Sequence, residues 1–115
     1  MDLSGFDALI HAPKRLAAMS ILAASEWVEC AYLRSQLDIS DSDLSKQMRL
    51  LQDAHYARAI KRGAGPGGST WYRITREGQR AFDGHVAALR ALVLEAPRAP
   101  AGCPAGGSPV GSPTA

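Results

Sequence analysis

SDSDLSKQMRLLQDA, residues 40–54, is the stretch whose reading decides the fold. Wound as a helix at about 100° per residue, it separates into two faces. Leu44, Met48 and Leu51 fall at i, i+4 and i+7 and form an apolar stripe, which His55 continues. Ser42, Ser45, Lys46 and Arg49 fall at i, i+3, i+4 and i+7 on nearly the opposite side, a short-chained, basic face. A helix anchored by one side that offers hydroxyls and cations on the other suits a DNA major groove, and equally suits any solvated surface. Its neighbours decide between the two.

Upstream, Ser40 or Ser42 caps this helix, with Asp41 and Asp43 against its positive end. Residues 31–37 make a shorter helix with Tyr32, Leu33 and Leu37 on its apolar side, and residues 38–40 leave only a tight link. Short helix, turn and amphipathic helix together read as helix-turn-helix. Before them, EWVE at 26–29 alternates and predicts a brief strand. Residues 14–24 predict a helix with Pro13 at its first position and Leu16, Met19 and Leu22 inward. Leu3, Phe6, Leu9 and Ile10 predict one or two further turns near the N-terminus.

Downstream the period changes. YARAIKR (56–62) and TWYRI (70–74) alternate and flank GAGPGGS (63–69), the pattern of a β-hairpin. Tyr72 and Ile74 should face the core, leaving Trp71 outward or against a neighbouring helix. Thr75 is an N-cap candidate for a long helix over 76–96, whose stripe is Phe82, Val86, Leu89 and Val93, widened by Leu92. Residues 97–115, Pro, Gly, Ser and Ala with no charge after Arg98, bury too little to order themselves and read as a disordered tail. The domain is thus expected over 1–96. The fold class is mainly α with a small β-hairpin, a winged helix-turn-helix with a long C-terminal dimerisation helix.

A chain of 115 residues with 46% hydrophobic content holds one core. Its net charge of +2 hides a segregation: Lys46, Arg49, Arg58, Lys61, Arg62, Arg73, Arg76 and Arg80 lie together against only Asp53 and Glu77, so the remainder is acidic by four. Cys30 reads as a small hydrophobe at a helix start and Cys103 falls in the tail, a usage that fits a reduced cytoplasmic setting. No apolar run reaches the ~18 residues of a membrane span. His11, His55 and His85 share no ligand spacing, so no metal or other cofactor is expected, and His55 reads as a turn residue. Catalysis has no support either: there is no carboxylate pair or nucleophile–base set, and the glycines of the hairpin lack the Lys and strand-to-helix setting of a nucleotide loop.

DLSKQMRLLQDAHY (43–56), TWYRIT (70–75) and REGQRAFDGHVAALRAL (76–92) resemble the small MarR-superfamily regulators, more narrowly the compact bacterial winged helix DNA-binding domain regulators. FDALIHAPKRLAAMSIL (6–22) and EWVECAYLRSQLDIS (26–40) are similar to that group too. The resemblance implies a homodimer on a palindromic operator, with two recognition helices in successive major grooves ~34 Å apart. Two departures stand out: the wing tip carries no cation, and Asp43 replaces a small residue before Leu44-Ser45.

The DNA-binding residues expected are therefore Ser42, Ser45 and Lys46 at base edges, Arg49 at a guanine or phosphate, and Lys61 and Arg62 at phosphates beside the wing. Arg58 and Arg73 divide between phosphate contact and a solvated strand face. A twenty-residue helix offers more apolar surface than a core this small covers, so Phe82, Val86, Leu89 and Val93, with Phe6 and Leu9 beside them, are expected at a dimer interface. The resemblance leaves room for a small-molecule effector between the long helix and the helix-turn-helix, which no residue identifies. The competing reading is a winged helix turned to protein or small-molecule binding with weak DNA affinity. DNA binding is favoured if Lys46, Arg49, Lys61 and Arg62 lie on one exposed surface of the dimer, and the competing reading if acidic groups neutralise them.

Overall fold

Ser40 turns its hydroxyl back to accept the Asp43 backbone N–H at 3.1 Å, and the helix that follows runs Asp41–Asp53. The structure, a computed structural model, describes residues 2–102. In chain order it contains α1 (Ala8–His11), α2 (Pro13–Ala23), β1 (Val28–Glu29), α3 (Cys30–Leu37), α4 (Asp41–Asp53), β2 (Ala57–Arg62), β3 (Ser69–Ile74) and α5 (Arg76–Leu94). Each start has a local cause. The Asp7 carboxylate accepts the Ile10 N–H to cap α1, Pro13 opens α2, and the Thr75 hydroxyl accepts the Gly78 N–H at 2.9 Å to cap α5. Asp38 ends α3 in the left-handed region (φ 53°), so the chain reverses into α4 within three residues.

The stripe of α4 is inward as expected: Leu44, Met48 and Leu51 are fully buried, in one core with Ile10, Ala18, Met19, Leu22, Leu33 and Tyr72. Burying such a side chain is worth about 1.5–3 kcal/mol, which makes these three the anchor that orients the helix. The β-layer is a three-stranded antiparallel sheet in the order β1-β3-β2, one strand more than a hairpin, because Val28 and Glu29 pair with Tyr72 and Trp71. Val28, Ala57 and Tyr72 are buried on its inner side.

Three expectations need correction. His55 does not continue the α4 stripe; it is exposed at φ 64°, the turn by which the chain leaves the helix for β2. Tyr32 is 54% exposed, since α3 buries only Leu33 fully and two turns cannot turn three bulky residues inward. The helix expected over 76–96 stops two residues short, and within the hairpin loop Gly65–Gly67 forms a 3-10 turn. α5 ends at Leu94, and no helix or strand follows it among the described residues. Residues 103–115 of the expected tail, Cys103 among them, lie outside the described residues.

Candidate nucleic-acid interface

Ser42, Ser45, Lys46 and Arg49 are all exposed on the side of α4 opposite its buried stripe. The helix is clamped from behind by polar contacts that periodicity did not reveal. Gln47, 8% exposed, donates to the Asp43 carboxylate at 2.9 Å and accepts from the Arg15 guanidinium at 2.7 Å. Arg15 also donates to the Leu9 carbonyl at 2.6 Å, so one side chain ties α4 to α1 and α2. The only sequence signal for Gln47 is its place between Leu44 and Leu51 on the flank of the stripe.

The carboxylates of the first turn are occupied. Asp43 pairs with Lys14, and Asp41 pairs with Arg34. The Lys14 and Gln47 hydrogen bonds hold the Asp43 carboxyl below the usual carboxylate range. Asp43 therefore sits on the flank of α4, bound to α2, and not as a free negative charge on the outer face. These two are the ion pairs found among the described residues, and neither involves Lys46, Arg49, Lys61 or Arg62.

Lys61 and Arg62 are both exposed, but the sheet sends them to opposite sides. Lys61 leaves on the side of Ala57 and Ala59, where the helices lie. Arg62 leaves on the outer side with Arg58, Ile60, Trp71 and Arg73. Trp71 thus faces outward and Tyr72 inward, as alternation predicts. The wing tip, with Gly63 (φ 82°) and Gly65 (φ 69°), carries no cation.

The apolar stripe of α5 is only partly turned to its own core. The side turned to the domain carries buried Gly78 and His85, with Leu92 half-buried. Phe82 reaches the core from the flank, whereas Val86 and Leu89 are half-buried and Val93 and Leu94 are 67% and 73% exposed. Phe82, Val86, Arg90 and Leu94 line an open groove along the helix. Leu9 is half-buried, and Phe6 stacks its ring at 4.8 Å from His11 and 4.7 Å from His85.

The histidines, unrelated in sequence, meet here. His85, fully buried, accepts the Asp7 backbone N–H on Nδ1 at 3.0 Å, which leaves its proton on Nε2, 3.2 Å from His11 Nδ1. Burial first, and His11 second, push the His85 pKa down. The Tyr56 hydroxyl donates to the Asp7 carboxylate at 2.6 Å, and that bond pushes its pKa up to about 12. The network ties the N-terminal segment to α5 and to the turn after α4. Among the described residues no three His, Cys, Asp or Glu side chains converge as a metal site, and no helix is long and apolar enough to cross a membrane.

A family model for the winged helix DNA-binding domain matches residues 14–93. The structure is similar to that of a transcriptional regulator homologue from Pyrococcus horikoshii, with TM-score 0.70 and 20% identity over 76% of this chain and 86% of that one. It is also similar to HlyU from Vibrio cholerae (TM-score 0.54, 18% identity, 75% and 85% covered). A third likeness is to ZitR from Lactococcus lactis, a zinc-responsive MarR family member (TM-score 0.54, 20% identity, 71% and 56% covered). No protein of curated function matches the sequence.

Proposed function

Because the chain belongs to the winged helix DNA-binding domain family, we propose that it is a transcriptional regulator acting as a homodimer on a palindromic operator. Residues 1–96 do this work, with 97–115 as an appended tail. α4 enters the major groove, Ser42, Ser45 and Lys46 meet base edges near its start, Arg49 meets a guanine or phosphate, and Lys61 and Arg62 lie near the backbone.

The observation that carries the reading is the charge arrangement of α4. Both acids of its first turn are taken by Lys14 and Arg34, while Lys46 and Arg49 stand exposed and unengaged by any carboxylate among the described residues. A module turned to protein or small-molecule binding would have those cations neutralised by acidic groups, and neither ion pair among the described residues involves them. Dimerisation is supported by the uncovered apolar side of α5, which gives Phe82, Val86, Leu89 and Val93, beside Phe6 and Leu9, a second subunit to pack on.

A salt-dependent gel shift with DNA from the protein's own upstream region, run beside sedimentation of the free protein, tests both halves. Arg49→Ala should weaken binding by about 1–3 kcal/mol per base contact or flatten the salt slope by about one unit per phosphate contact. Unchanged affinity and slope would remove Arg49 from the interface. A monomeric mass at micromolar concentration would remove the dimer.

A further inference from the structure

The outer side of the sheet is used by neither the core nor α4. Register places Arg58 opposite Arg73, Ile60 opposite Trp71, and Arg62 opposite Ser69, all on that side, with Glu29 on the far flank of Trp71. Successive rungs lie two residues apart, about 6.8 Å along the strands. The face therefore runs cation, aromatic, cation, with the single Glu29 carboxylate beside the aromatic rung. Trp27, at the entry to β1, joins it, with the Arg73 guanidinium 5.3 Å above its ring. The Trp71 indole N–H donates to the Ser69 hydroxyl at 3.0 Å, which pins that ring to the sheet. Trp27, Ile60, Trp71 and Arg62 enclose a hollow of about 250 Å³. Arg58, Arg62 and Arg73 are exposed, and none of them forms an ion pair among the described residues.

This arrangement costs the fold something. Two arginines opposite each other on one rung repel, and half-exposed indoles on an uncovered face leave apolar area in water. An anionic ligand offering flat rings offsets both costs. A duplex offers phosphates but keeps its base faces stacked inside, and an acidic peptide offers carboxylates without a ring at every step. An unpaired strand offers a phosphate and a free base face at each nucleotide, in the order the rungs present them.

We propose that the outer face of the sheet binds single-stranded nucleic acid, with Trp71 stacking an unpaired base, Trp27 flanking it beneath the Arg73 guanidinium, and Arg58, Arg62 and Arg73 holding the phosphates. The face shares Arg62 with the duplex interface above, while Trp27, Trp71, Arg58 and Arg73 lie outside the residues proposed there, so variants at those four test it separately.

Both tryptophans of the chain lie on this face, so indole emission reports the site directly. The full chain is titrated at low salt with a short oligothymidylate, a hairpin duplex of equal length, and inorganic polyphosphate. The oligothymidylate should quench the emission saturably, with a log–log salt slope near −2 for three phosphates at about 0.7 each. Polyphosphate and the duplex should displace it only at much higher concentration. Trp71→Leu should weaken binding roughly 5- to 150-fold, the usual loss of one stacked base. Arg58→Glu with Arg73→Glu, both exposed although Arg73 also covers Trp27, should abolish it while duplex binding and the circular dichroism spectrum persist. Arg49→Ala should leave the oligothymidylate untouched. No quenching, equal competition by polyphosphate or by duplex, or indifference to the double arginine reversal would each overturn the proposal.

Discussion

Gly78→Ala sets two rules of helix energetics against each other. In a helix interior alanine is favoured over glycine by about 1 kcal/mol, so propensity alone predicts a more stable protein. The packing at Gly78 predicts the reverse. A Cβ built there meets the Tyr56 carbonyl carbon at 2.8 Å and Tyr56 Cα at 2.9 Å, with the carbonyl oxygen closer still. Backbone cannot rotate aside as a side chain would, so α5 must back away from the turn. That retreat loosens the Thr75 N–H bond to the Tyr56 carbonyl (3.0 Å) and the Thr75 hydroxyl bond to the His55 carbonyl (2.6 Å). Overpacking costs about 1–3 kcal/mol and two weakened hydrogen bonds about 1 kcal/mol each. After subtracting the propensity gain, the net loss is about 2–4 kcal/mol.

Gly84→Ala in the same helix is the internal control. A Cβ there meets only the Gly5 carbonyl oxygen, at 3.9 Å, so propensity should prevail and stability should rise by up to about 1 kcal/mol. Urea unfolding followed by far-ultraviolet circular dichroism reads both variants. The Gly78 midpoint should fall and the Gly84 midpoint hold or rise, with unchanged slope. Were Gly78→Ala as stable as the parent, or were both variants destabilised alike, the account of α5 seated on the turn would be wrong.

Protonation of His85 should weaken the N-terminal clamp. Its folded pKa is depressed, so the unfolded chain takes up the proton first. Stability is fully present above the unfolded value near 6.5 and falls as pH drops below it, by at most about 1.4 kcal/mol per pH unit, until the folded value is passed. Urea midpoints across pH 7.5 to 5 should show this fall in the parent and a flatter curve in His85→Gln; a flat parent curve refutes it. Gln47→Ala strips the Arg15 guanidinium of its 2.7 Å acceptor behind α4 and should cost about 1–3 kcal/mol. The same variant should lose duplex affinity beyond the folded fraction, and parental affinity would show that the clamp does not aim the helix.

What sequence reading recovers here is what is local. Ser40, Pro13 and Thr75 mark helix starts because a cap acts within its own turn. Leu44, Met48 and Leu51 announce their burial because a period of 3.6 needs only neighbours. What it misses joins distant residues: Asp7 to Tyr56, Arg15 to Gln47, His11 to His85. A polar side chain carries no periodicity of its own, so its partner emerges only when the fold brings both together. The α5 stripe shows a subtler loss. Periodicity correctly found an apolar side but could not say that the core contact would be centred on Gly78 and His85 instead. Close approach of α5 to the Tyr56 backbone demands a residue without a side chain, and a helix seated there brings Phe82 to the core but leaves Val86 half-buried and Val93 exposed.

The wing tip carries no cation, and the nearest two stand at its base. A charge placed among Gly63, Gly65, Gly67 and Gly68 would sit on glycine-rich backbone, and ordering it on a phosphate would cost entropy. Lys61 and Arg62 instead stand at the base of the loop, where strand pairing with Thr70 and Ser69 fixes both backbones. Neighbours in a strand point to opposite sides, so one pair of cations equips both faces of the hairpin. Lys61 adds to the field on the side of the helices, and Arg62 adds to the ladder with Trp71.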